Sequence, residues 1–226
     1  MGIGPFMKIA IFGCSWTHGV GQIEKYINWP YFFAQKYPNA EITNYAIAAS
    51  SVSFQIHQMN IVKKTTPADL YIFQISRPER LTYWEPKTDF FNYLEPAAPN
   101  LKQYYHGIFQ SVQCLTAPLA GQMPNMNNKQ KSIDFAKQYY RNVNVETMDL
   151  EWELSLDYIK RNTDFCFLQT EGAYRNVTDI PCVEDILTRE KCKEWWEAGT
   201  HFGRTGLQWV ADYVDENVKE IINAKM

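Results

Sequence analysis

Positive charge is not in excess in this chain. Its 22 lysines and arginines are outnumbered by 25 aspartates and glutamates, a formal net charge of −3, which argues against nucleic acid as the main partner. The mild basic cluster at Lys129, Lys131 and Lys137 reads as a solvated helix face. No run approaches the roughly 18 apolar residues of a membrane-spanning helix, so no membrane partner is expected. The five cysteines, Cys14, Cys114, Cys166, Cys182 and Cys192, are odd in number and include no C-x-x-C pair, which excludes a zinc knuckle and fits scattered reduced thiols in a cytoplasmic setting. No spacing of His, Asp and Glu resembles a metal-ligand set. Gly13 through Gly21 matches neither the dinucleotide fingerprint nor a P-loop, and no cofactor is expected. The opening Met1 to Phe6 lacks a charged region and a long apolar core; it is expected to be a short disordered lead rather than a secretion signal. There is no internal repeat and no low-complexity tract.

What is present suffices for one substantial domain, 1–226, with 46% of its residues apolar. Lys8 to Phe12 is short, apolar and rich in β-branched and aromatic residues, the pattern of a buried strand. Similar runs occur at Glu41 to Ala46, Leu70 to Ile75 and Asp164 to Gln169. Helical spacing lies between them: Ile23 to Tyr37, with Pro30 opening its firm part; a helix from Val52 carrying Ile56, Met59 and Val62 inward; and much of Ser132 to Arg161. A last helix from about Arg204 to Ile222 places Leu207, Val210, Ala211, Val214, Val218 and Ile221 at three- and four-residue steps. The order β-α-β-α-β, with strands apolar on both faces, predicts a parallel sheet covered by helices on both sides. Residues 76–128, rich in proline, are predicted to be an irregular insertion at the sheet's carboxyl edge. One helical piece is expected there between Leu101 and Cys114. A substrate rim or a contact between copies of the chain would sit in this insertion.

The chemistry centres on Gly13-Cys14-Ser15-Trp16. A strand ending in Gly-x-Ser and turning into a helix puts a small nucleophile at the carboxyl end of the sheet, where open α/β sheets bind ligands. A serine in that position is also an ordinary helix cap. Serine attacks a carbonyl only with a base in reach and donors for the oxyanion. Of the four histidines, His201 sits in a glycine-flanked turn directly before the final helix and can face Ser15 across the edge. Trp16 adjoins the serine and offers a ring for a flat substrate such as a sugar.

These residues resemble a family. Gly13-Cys14-Ser15-Trp16 is similar to the Gly-Asp-Ser-Leu block of SGNH (GDSL-type) esterases and acylhydrolases. Asn44-Tyr45-Ala46-Ile47-Ala48-Ala49-Ser50 is similar to their second block. Gly199-Thr200-His201-Phe202, with Gly206 and Trp209 after it, resembles the block that carries their catalytic histidine. The resemblance implies a three-layer α/β/α, flavodoxin-like domain with a parallel sheet of about five strands. It also implies Ser15 as nucleophile, His201 as general base, and the backbone N–H groups of Ser15 and Ala49 as oxyanion donors. The chain departs from the pattern at four places. Cys14 stands for the aspartate of the first block and Ala49 for a glycine. Pro78 stands where the third block has its oxyanion asparagine, which leaves Gln74, Ser76 and Arg77 as nearby donors. Ala198 stands where an aspartate usually orients the histidine, with Glu197 the nearest carboxylate.

The resulting expectation is a serine esterase working through a Ser–His dyad or an atypical triad on a small acyl ester, such as an O-acetylated carbohydrate. The alternative is a catalytically inactive binding or structural protein of the same fold.

Overall fold

The computed structural model describes residues 7–19, 27–48, 50–76, 80–84, 94–104, 112–116, 134, 137–139, 141–168, 179–183, 196–197 and 201–226. Of residues 81–84, 94, 95, 104, 112–116, 145, 196, 197 and 201 only the backbone is described.

Strand β1 (Met7–Phe12) lies at the heart of a sheet with β2 (Ala40–Asn44) on one side and β3 (Leu70–Ile75) on the other, both parallel to it. Strand β4 (Arg80–Trp84) follows and leaves the sheet; β5 (Leu94–Ala98) and β6 (Leu101–Tyr104) return to it. The sixth member, β8 (Phe165–Leu168), pairs in parallel with β3, so the order is β5-β6-β2-β1-β3-β8. Five of these strands run parallel, and β5 lies antiparallel on the β6 edge. The sheet therefore has six strands where about five were expected. The helix expected between Leu101 and Cys114 is corrected at its start, because Leu101–Tyr104 is the strand that extends the sheet beyond β2. Strand β7 (Val112–Thr116) pairs antiparallel with β4 in a separate ribbon. The run LKQY spans only four residues, too short for its alternation to stand out from helical spacing.

Alternation along the strands sorts the core into two sides. Ile9 and Ile11 of β1 face the layer of α2 (Trp29–Lys36) and the carboxyl-terminal helix α5 (Arg204–Lys225). Ala10 and Phe12 face the layer of α3 (Val52–Thr65) and α4 (Val145–Asn162). This is the three-layer α/β/α arrangement that parallel crossovers produce. The expected stripe of α5 is buried at Leu207, Val210, Ala211, Val214 and Val218. Pro30 stands in the first turn of α2 behind Asn28, whose side-chain oxygen accepts from the Tyr31 N–H at 2.9 Å. Lys36 ties α2 to α5 through Asp212 and Asp215 at 2.7 and 2.9 Å.

The turn after β1 is itself helical. Helix α1 is the single turn Ser15–His18, ended by Gly19; residues 20–26 lie outside the described residues. Among the described residues, no helix is long and apolar enough to cross a membrane, and no cluster of His, Cys, Asp and Glu could hold a metal ion.

At the other end of the chain, the two-residue strands β9 (Trp196–Glu197) and β10 (His201–Phe202) form an antiparallel pair immediately before α5. Gly206, in the first turn of α5, lies under the Phe202 ring: a Cβ there would stand 2.9 to 3.0 Å from three of that side chain's carbons. Gly206→Ala is therefore expected to lower the unfolding free energy by about 1–3 kcal/mol through overpacking. Urea denaturation measures this, and an unchanged midpoint would mean that the ring moves aside freely.

Candidate active site

The β1 and β3 carboxyl ends flank the point where the chain sends α2 to one face and α3 to the other, the crevice position of an open α/β sheet. Ser15 follows β1 directly and is half-buried. Its turn is fastened from below. Gln74, 1% exposed at the end of β3, accepts through Oε1 from the Cys14 N–H and the Thr17 hydroxyl, each at 3.0 Å. The Cys14 thiol also points inward and donates to the same oxygen at 3.3 Å. Trp29 of α2 donates its indole N–H to Thr17 Oγ1 at 3.0 Å. Gly13 must be glycine for this to close, because a Cβ would stand 2.4 Å from Thr17 Oγ1 and 2.9 Å from Gln74 Oε1.

A second set of buried amides holds the far end of α1. Asn44 Nδ2, at the end of β2, donates to the Thr17 carbonyl at 2.8 Å and to Gln103 Oε1 at 2.7 Å. Asn28 Nδ2 donates to the His18 carbonyl and to the same Gln103 oxygen, both at 3.0 Å. Thr17, Asn28, Asn44 and Gln103 are each fully buried. Such a shared, satisfied network rigidifies what it surrounds. Sequence reasoning assigned no role to Thr17, Asn28 or Gln103. The available signal was an isolated amide or hydroxyl inside otherwise apolar segments, since a buried polar group requires a partner.

The second turn is joined to the first. Beyond β2 the Ile47 N–H donates to the Gly13 carbonyl at 3.1 Å, and the Ser50 hydroxyl donates to the same oxygen at 3.0 Å. Gln55 of α3 secures Ser50 by donating to its hydroxyl at 2.9 Å. Ala49 sits between these anchors in sequence but lies outside the described residues, as does Arg77. Ser76 follows β3 and is 2% exposed, with no hydrogen-bond partner for its hydroxyl among the described residues.

The third segment arrives from the chain's other end. Trp16, beside Ser15, is 7% exposed and packs edge-on against Phe202, beside His201, with ring centroids 4.3 Å apart. The Trp16 ring thus takes part in the core. In the β9–β10 pair His201 stands opposite Glu197, the register position at which cross-strand residues lie close enough to interact. The structure therefore gathers the Ser15 turn, the Ser50 turn, the end of β3 and the His201 strand. For His201 and Glu197 it does so by backbone position.

No protein-family model matches the sequence, and no curated protein matches it. Solved structures do match the fold. The psychrotrophic esterase EstA from a Pseudoalteromonas species is 9% identical, with 96% of this chain and 98% of that chain covered and a TM-score of 0.43. A catalytic mutant of Axe2, an acetylxylan esterase from Geobacillus stearothermophilus, is 12% identical, with 96% of each chain covered and a TM-score of 0.46. AlinE4, an SGNH-hydrolase family esterase, is 12% identical, with 99% and 98% covered and a TM-score of 0.39.

Proposed function

We propose that the chain is a serine esterase of SGNH type that hydrolyses a small acyl ester. The observation that carries this reading is the Trp16–Phe202 contact. It brings the neighbour of Ser15 against the neighbour of His201 at the carboxyl edge of one sheet, although the two lie at opposite ends of the sequence. In this reading Ser15 Oγ attacks the ester carbonyl while His201 takes its proton. The N–H groups of Ser15 and Ala49 receive the oxyanion. His201 then hands the proton to the leaving alcohol, and water releases the acyl group by the reverse steps. The Glu197 register opposite His201 supports a role for that carboxylate in orienting the imidazole. The Ser50–Gly13 bond supports the placing of the Ala49 turn beside the nucleophile. Abundant aromatic residues, 15% of the chain, favour an acylated carbohydrate as substrate. Cys14, Cys166 and Cys182 form no disulfide with one another, which favours a reducing, cytoplasmic place of action.

A fluorophosphonate probe tests the reading. It is expected to label the protein at one residue, and mass spectrometry of the digest is expected to place the adduct on Ser15. Absence of an adduct on the folded protein would favour the alternative, an inactive binding member of the same fold. That alternative draws on Pro78 and Ala198, which replace two polar residues of the family pattern.

A further inference from the structure

Arg80 opens β4 beside the turn that carries Ser15, and among the described residues no carboxylate answers its charge. Its Nη1 donates to the Ser50 carbonyl at 3.3 Å, and Ser50 in turn donates its hydroxyl to the Gly13 carbonyl. The guanidinium is thus two hydrogen bonds from the residue that starts the Ser15 turn. The side chain is half-buried, its Nε–H is buried without a partner, and no carboxylate among the described residues pairs with it. The Ser76 hydroxyl, from the same β3–β4 connection, is a second buried donor without an acceptor. A partly desolvated cation without a counter-ion is unfavourable.

We propose that Arg80 binds a carboxylate carried by the substrate, so that the preferred ester is acidic, with an ionised carboxyl group on its acyl or alcohol part. The guanidinium fork matches the planar geometry of a carboxylate. This inference rests on the esterase reading for its choice of substrate.

The test compares 4-nitrophenyl acetate with the 4-nitrophenyl monoester of succinate, in the wild type, Arg80→Met and Arg80→Lys, and follows the melting temperature with and without succinate. The wild type is expected to prefer the succinyl ester. Arg80→Met is expected to lower the ratio of kcat/KM for the succinyl ester to that for the acetyl ester by about tenfold or more, the size of a lost charge-assisted contact. Arg80→Lys is expected to restore part of that ratio. Succinate is expected to raise the melting temperature of the wild type but not of Arg80→Met. Equal losses on both esters, or equal protection of both proteins by succinate, would overturn the proposal. So would a wild type that neither prefers the succinyl ester nor is protected by succinate. If neither ester is cleaved while succinate protection still depends on Arg80, the anion site stands and the esterase reading fails.

Discussion

Ser15→Ala is expected to reduce turnover of 4-nitrophenyl acetate by about 10³-fold or more, with the fold intact. The size follows from the role: nothing else in the turn replaces the attacking oxygen, since the Cys14 thiol points into the core toward Gln74. In serine hydrolases the nucleophile and its base act as one unit, so their single losses are each nearly as large as the joint loss. His201→Ala is accordingly expected to cost a similar factor, and the double variant little more than either single one. The substitution at Ser15 touches a half-buried side chain, so its effect on the melting temperature is expected to be small. Steady-state rates on the purified variants, corrected for hydrolysis in buffer, measure all three. Full turnover by Ser15→Ala would remove the serine from the mechanism. Additive losses would mean that Ser15 and His201 do not serve the same step.

Phe202→Ala is expected to have the largest effect on stability. The ring is 2% exposed, packs on Trp16 and lies over Gly206. Truncating a buried phenylalanine costs about 3–5 kcal/mol, as lost transfer free energy and as the cavity left behind. That range is a large part of the 5–15 kcal/mol that holds a typical domain together. Beyond stability, the change removes the anchor that sets β10 against α1, so the rate is expected to fall in the fraction that remains folded. Urea titration gives the first quantity, and activity at low urea per folded molecule gives the second. A loss below about 1 kcal/mol would mean that the site can collapse around the gap and that the contact does not fix the strand.

The parts of the fold legible in the sequence were those in which local pattern and environment agree. Strands β1 and β3 are buried on both faces, and unbroken apolar runs record this. Helix α5 meets the core along one stripe, and its period records that. Strands β5 and β6 were missed for a physical reason: Leu94–Ala98 carries Pro96 and pairs only at the edge, and Leu101–Tyr104 is four residues long. Strand β6 takes its place by pairing with the distant β2, and β5 by folding back on β6, which leaves no periodic trace. At the site, glycine followed by a small polar residue after a strand made the Ser15 turn readable. The hydrogen bonds that hold the turn were not, because Gln74, Asn44 and Gln103 each come from a different strand and meet only once the sheet exists. Arg80 was invisible for the same reason, its partner being the carbonyl of Ser50.

Gln103 carries a consequence for the order in which the molecule is made. Its single oxygen receives both Asn28 and Asn44, so the braces on the first turn are completed by a residue that a ribosome adds some 60 to 75 positions later. A nascent chain ending anywhere before that point holds the Ser15 turn without this clasp, and helix α5 arrives later still. Contacts of such long sequence separation slow folding, since the loop must close before they form. The turn that carries Ser15 is therefore fully braced only late in synthesis, once β6 has emerged and paired with β2.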